Sequence, residues 1–177
     1  MKGMNEMKKI TIILISLMLI FTGCTAKEEI PNKNIQQVIN LYYPNIDDEN
    51  YYYKTVELNA KTQDEVLPSI VNAYKENDVT GTERVLTENT NINSVKLEKK
   101  ILYLDFNQEF LNDMNAGSSY EELILHSIAN TFCEYYGAEK LAITVDNKPY
   151  ESGHIELEKG EYITPDYSKS VCINKVC

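Results

Sequence analysis

Few side chains in this chain of 177 residues have the type and spacing for chemistry. His126 lies four residues after Glu122, so the two share one side of a helix and could offer a metal ion two ligands. Two ligands do not complete a site, and an ordinary intrahelical Glu–His contact is the reading preferred. His154 follows Gly153, and an imidazole after a glycine is expected to clasp two chain segments by hydrogen bonds rather than act as base or ligand. The Asp105 carboxylate is expected to accept N–H groups of the connector that follows it. Ser118 and Ser119 after Gly117 would put hydroxyls at a helix start, but without a base beside them they read as caps. The sequence has no glycine-rich phosphate loop, Cys-x-x-Cys, His-Glu-x-x-His or Gly-x-Ser-x-Gly. No catalytic residue, metal or cofactor is therefore assigned, and the chain reads as non-enzymatic.

The elements that would position these residues centre on residues 101–137. Ile101 to Phe106 alternates as a strand, with Leu102, Leu104 and Phe106 on one face. Glu121 and Glu122 follow Ser118 and Ser119 at the capping-box spacing. Leu125, Ile128, Ala129, Phe132 and Tyr136 then recur every three or four residues as far as Gly137, a left-handed stop. Upstream, Val38 to Tyr43 and Tyr51 to Leu58 predict two strands around the loop 45–50, and Ile92 to Glu98 predicts a third, turned by Lys99-Lys100 into the central strand. Gln63 to Asn77 predicts a helix behind Thr62, its first turn displaced toward Pro68 because proline is tolerated only near a helix start. Lys140 to Asp146 alternates Leu141, Ile143 and Val145 inward, and Asn147-Lys148-Pro149 is expected to turn it. Residues 150–157 are expected to pair back or to run along the edge, and 161–177 to form a loosely structured tail. The order strand, strand, helix, strand, strand, helix, strand predicts an α+β fold: a two-layer sandwich with two helices on one face of a small mixed sheet.

Read together, LDFNQEF, NAGSSYEEL, LHSIANTF and GHIELEKG resemble the GerMN domain of sporulation and germination lipoproteins over about residues 36–160. Asp105, Phe106, Phe110, Asn115, Gly117, Ser118, Glu121, Ser127, Asn130 and Thr131 stand where that pattern expects them, and Gly153, His154 and Ile155 match its closing motif. Two departures are Asp146-Asn147 in place of an Asp-Gly turn, and Cys133 within the helix. The resemblance implies the same sandwich, akin to ring-building modules of secretion machines. It also implies a module that makes protein contacts in spore formation or germination, with assembly into rings open.

Residues 1–23 are expected to be a signal peptide: Lys8 and Lys9 precede an apolar run from Ile10 to Phe21 that is too short to span a bilayer comfortably. Phe21-Thr22-Gly23-Cys24 resembles a lipobox, in which Cys24 would be acylated and become the new N-terminus; an ordinary secretory signal or an uncleaved anchor is the alternative. Residues 24–35 would be a tether, holding the domain on the extracytoplasmic face of the cell membrane. The net charge of −10, with Arg84 the only arginine, argues against nucleic acid as a partner and sets the body away from anionic headgroups. Cys172 and Cys177 could close a small loop. Tyr42, Tyr43, Tyr51, Tyr52 and Tyr53 could instead form a platform for wall glycan, which would make the chain a wall-binding or wall-acting module. Strand packing explains the same residues without a ligand.

Overall fold

A computed structural model describes residues 35, 37–76, 79–114 and 116–173. Val38–Pro44 (β1) and Tyr51–Glu57 (β2) pair antiparallel around the loop 45–50, where Asn45 and Asp48 side chains accept N–H groups two and three residues on. Gln63–Glu76 (α1) follows, burying Val66, Ile70, Val71, Ala73 and Tyr74. Ile92–Glu98 (β3) and Ile101–Phe106 (β4) form the second hairpin, and both turn residues, Lys99 and Lys100, take positive φ, as a two-residue primed turn requires. Glu109–Asn112 (α2) is one turn in the connector to the long helix Ser118–Tyr136 (α3). Lys140–Val145 (β5) then lies parallel to β4, Lys148–Pro149 (β6) pairs back on β5, and Ser170–Cys172 (β7) lies parallel to β2.

The α+β class holds, but the expected single sheet is divided. One sheet has the order β1-β2-β7 and the other β3-β4-β5-β6. The outer edge of β1 explains the division. The Tyr42 N–H donates to Thr131 Oγ1 of α3 at 3.0 Å, and Tyr42 C=O accepts from the Tyr74 hydroxyl of α1 at 3.1 Å. Tyr74 and Thr131 also bond each other. With both main-chain groups of Tyr42 occupied by side chains, no further strand can pair there, and α3 lies along β1 in its place. The opposite side of α3 reaches β4 and β5. One apolar core therefore runs between the sheets, with Leu41, Ile70, Leu86, Leu102, Ile128, Phe132 and Leu141 each fully buried.

Helix ends and turns differ from expectation in detail. Gly117, not a serine, is the N-cap of α3 and has no side chain to make a cap bond, and Glu121 turns inward instead of reaching back to the chain end. The far end follows the pattern: Gly137 has φ 68°, Ala138 N–H reaches Cys133 C=O and Gly137 N–H reaches Glu134 C=O, which together make a Schellman stop. Pro68 sits inside α1, which starts at Gln63 rather than nearer the proline. That start is fixed by the Glu65 carboxylate, which accepts the Lys61 N–H at 2.7 Å. The turn after β5 is Asp146-Asn147, both at positive φ, so Lys148 and Pro149 are already strand.

The C-terminal segment is not a loose tail. Ile163 is buried and exchanges two 2.8 Å hydrogen bonds with Leu141, and β7 completes the first sheet. Cys172 is in a disulfide and Cys133 is a free, buried thiol that burial pushes up to about 12, whereas Cys177 lies outside the described residues. No helix among the described residues is long and apolar enough to cross a membrane. The expected signal, tether and Cys24 also lie outside them.

Candidate functional site

Asp105 is the last outward residue of β4, and alternation alone would leave it on the open face of the second sheet. It is nevertheless only 6% exposed, because three donors close over it. The Thr144 hydroxyl of β5 donates at 2.6 Å, the Asn147 N–H of the following turn at 2.7 Å, and the Asn93 amide at 3.0 Å. Asn93 reaches it because the register of β3 shifts between Ile92 and Ser94, a bulge that brings this side chain to the face of Asp105. Burial pushes the Asp105 carboxyl up, but the bonds from Thr144, Asn93 and Asn147 outweigh it and hold the group below its ordinary value. The expected donors in the connector after β4 are not the ones found.

That depression sets a pH dependence. The stability from these bonds is complete above the ordinary value of 3.8 and is lost as pH falls through the lower folded value. Asp105→Asn is expected to cost about 1–3 kcal/mol near neutrality. In urea titrations at a series of pH values, the gap between wild type and variant should narrow below pH 3.8; a gap that widened would contradict the assignment.

The other motif residues build the frame. Phe106 and Phe110 stack at 4.2 Å between centroids, and Tyr150 tilts against Phe110 at 5.9 Å, so α2 is held to the core. The fully buried Glu121 accepts the Tyr150 hydroxyl at 2.7 Å, which ties α3 to the chain leaving β6, and burial drives that phenol well above its ordinary value. Its second oxygen and the Ser127 hydroxyl are buried without a partner. Asn130 takes both main-chain groups of Asp166 at 2.8 Å, pinning the C-terminal segment to α3. Asn115 lies outside the described residues, and Ser118 is exposed on the first turn of α3.

His154 does not clasp two segments. Its imidazole is exposed, and the local turn rests on Gly153 at φ 95° and on the Ser152 hydroxyl, which accepts the His154 and Ile155 N–H groups. His126 is half-buried with its ring 6.3 Å from that of Tyr51, and no group of three or more His, Cys, Asp or Glu among the described residues could hold a metal ion. Tyr42, Tyr43 and Tyr51 are buried, Tyr42 stacking on Tyr53 at 4.9 Å and Tyr43 meeting Tyr74 edge-on. Burial pushes the Tyr51 phenol up to about 12. Tyr52 and Tyr53, the rest of that cluster, are half-buried.

The surface around Asp105 is open. A cleft of about 330 Å³ runs over Ser94, Lys96, Tyr103, Asp105 and Thr144, and beside it lies a larger groove of about 610 Å³ between Tyr103 and the strap Leu157–Tyr162. Both sit on the face of β4 and β5 turned away from the core. Of the donors to Asp105, Asn93 was not singled out from sequence, since nothing in its local pattern announces a bulge.

Among solved structures, the chain is similar to the first GerMN domain of the sporulation protein GerM from Bacillus subtilis. That match has a TM-score of 0.55 and 17% identity, over 73% of this chain and 98% of that one. It is also similar to the tandem GerMN domains of the same protein, with a TM-score of 0.56 and 16% identity over 73% of this chain and 46% of that one. Among curated proteins, none matches the chain. The model of the family Germane, described as sporulation and spore germination, matches residues 40–151, from β1 to the residue after Tyr150, and the chain belongs to that family.

Proposed function

We propose that this is a lipid-anchored, non-enzymatic envelope protein whose GerMN-like domain makes protein contacts during spore formation or germination. The observation that supports it most is the family match across the whole β1-to-β6 frame, in a chain that also carries Lys8, Lys9, an apolar run and Cys24 ahead of that frame. The motif residues favour an interaction module over an enzyme. Phe106, Phe110, Glu121 and Asn130 are buried in packing and in hydrogen bonds between segments, where no substrate reaches them. The acyl chains on Cys24, at roughly 0.8 kcal/mol per buried methylene, would fix the domain near the membrane without a spanning helix.

Cys24→Ala tests the anchor. In sporulating cells the wild-type protein is expected in the membrane fraction, and the variant in the soluble fraction or as an unprocessed precursor, with a fall in spore yield or germination. A variant that fractionates with the membrane as a mature-length protein would remove the acyl anchor from the proposal. One that is soluble and fully functional would remove the need for it.

A further inference from the structure

We infer that the end of the domain holding the β3–β4 turn rests on anionic lipid headgroups and turns the acidic opposite end away from the membrane, which rests on the reading of Cys24 as an acylated anchor. The chain enters the fold at this end. α3 runs antiparallel to β1: Thr131 bonds Tyr42, Glu134 bonds Asn40, and Tyr135 shares a small depression with Val38, the first residue of β1. The last turn of α3 and its stop at Gly137 therefore lie beside the start of β1. Lys100 belongs to the same end. Its Nζ donates to the Gly137 C=O at 3.2 Å, and its own C=O accepts the Glu139 N–H at 2.8 Å and the Lys140 N–H at 3.3 Å.

Ile35 follows Cys24 by 11 positions, a length of chain that reaches at most about 40 Å. α3, with its 19 residues, is about 29 Å long. The anchor thus holds the domain within reach of the headgroups but leaves it free to turn over, and charge decides which end faces them. The β3–β4 turn puts charge at that point against its own geometry. Lys99 and Lys100 sit at φ 46° and 68°, where a two-residue primed turn prefers Asn-Gly. Contact with an anionic surface gives a reason for two lysines at the tip that the turn itself does not.

The two ends differ in charge. Around the turn, segments 96–100 and 137–140 carry Lys96, Lys99, Lys100 and Lys140, all exposed, against Glu98 and Glu139. Glu98 is paired with Lys96 at 2.6 Å, and Glu134 on α3 takes the Asn40 amide at 3.0 Å. Glu57 opposite Val38, and Asp64 and Glu65 beside Lys61 at the start of α1, bring this end close to neutral, with the turn as its basic corner. At the other end, the loop after β1, α2 after β4 and the start of α3 occupy segments 45–50, 109–113 and 118–122. These carry Asp47, Asp48, Glu49, Glu109, Asp113 and Glu122 besides the buried Glu121, with no lysine or arginine among them. The net charge of −10 is thus weighted toward the end away from the chain's entry. An anionic surface repels that end hardest and attracts the lysine corner, while the anchor keeps even a weak attraction effective.

The test places the full-length acylated protein in vesicles of phosphatidylcholine alone, or of phosphatidylcholine and phosphatidylglycerol in equal parts. A dye on Val38→Cys or on Ile46→Cys, exposed positions at opposite ends of β1, reports energy transfer to acceptors on the headgroups. Cys133 is buried and does not compete for the label. On phosphatidylcholine, the ratio of transfer at position 38 to transfer at position 46 gives the bias of the anchor alone. On the anionic vesicles the ratio is expected to rise about threefold at low salt and to fall back at high salt. Lys99→Asn with Lys100→Gly supplies the residues the turn prefers, so the hairpin stays formed, and it should remove most of the rise. Equal ratios on the two kinds of vesicle, or a rise that neither salt nor this variant reduces, would overturn the inference.

The mass of the purified protein decides the anchor separately. Protein that carries no acyl chains would sink the anchor, and the orientation with it. Acylated protein that shows no rise would sink the orientation alone and leave the proposed function standing.

Discussion

Phe132→Ala is expected to lower the unfolding free energy by about 3–5 kcal/mol, the largest effect of any single side chain considered. Phe132 is fully buried on α3 within the one core cluster that joins β1, α1, β4 and β5, so its removal leaves a cavity that both sheets border. A domain of this size has about 5–15 kcal/mol in all, and the loss would be roughly a fifth of it or more. Urea unfolding at 25 °C should show a lower midpoint with an unchanged slope. Phe132→Leu keeps most of the volume and should cost under half as much. Equal costs for the two substitutions would show that the site can collapse around the gap.

Thr131→Val is the second, with an expected loss of about 1–3 kcal/mol from a change that hardly alters volume. Thr131 Oγ1 accepts the Tyr42 N–H on the edge of β1 and bonds the Tyr74 hydroxyl, and both it and Tyr74 are buried away from water. Valine leaves the Tyr42 N–H buried without an acceptor. Burial already drives the Tyr74 phenol well above its ordinary value. Tyr74→Phe added to Thr131→Val should therefore cost less than the two singles summed, since both remove the same bond. Amide hydrogen exchange gives an independent readout: Tyr42 N–H should lose protection in Thr131→Val while the amides of β4 and β5 keep theirs.

The strands and the long helix were legible because their apolar periods are local. Ile92 to Glu98, Ile101 to Phe106 and the helix ending before Gly137 fall where the alternation and the glycine stop put them. The division into two sheets was not legible, because it depends on Thr131 and Tyr74 meeting Tyr42 from two helices distant in the chain. Asp105 stood out as a buried acid, but its donors come from Asn93, Thr144 and Asn147, which only the folded register brings together. Glu121 shows how a local rule loses to a tertiary one. Its spacing from Ser118 suits a capping box, yet the Tyr150 hydroxyl draws it inward. The order at residues 163–173 was missed because polar, aperiodic sequence hides Asn130's hold on Asp166.

The pairing of β7 with β2 sets an order of events during folding. Hairpins β1–β2 and β3–β4 close within short stretches of chain, but Tyr51 must wait for Ser170 before its sheet is complete. Contacts so far apart in sequence form late, since the entropy of closing the loop between them must be overcome first. While the polypeptide is still emerging, the flank of β2 is bare and open to neighbouring nascent strands. That interval, rather than any weakness of the finished domain, is where misassembly would begin.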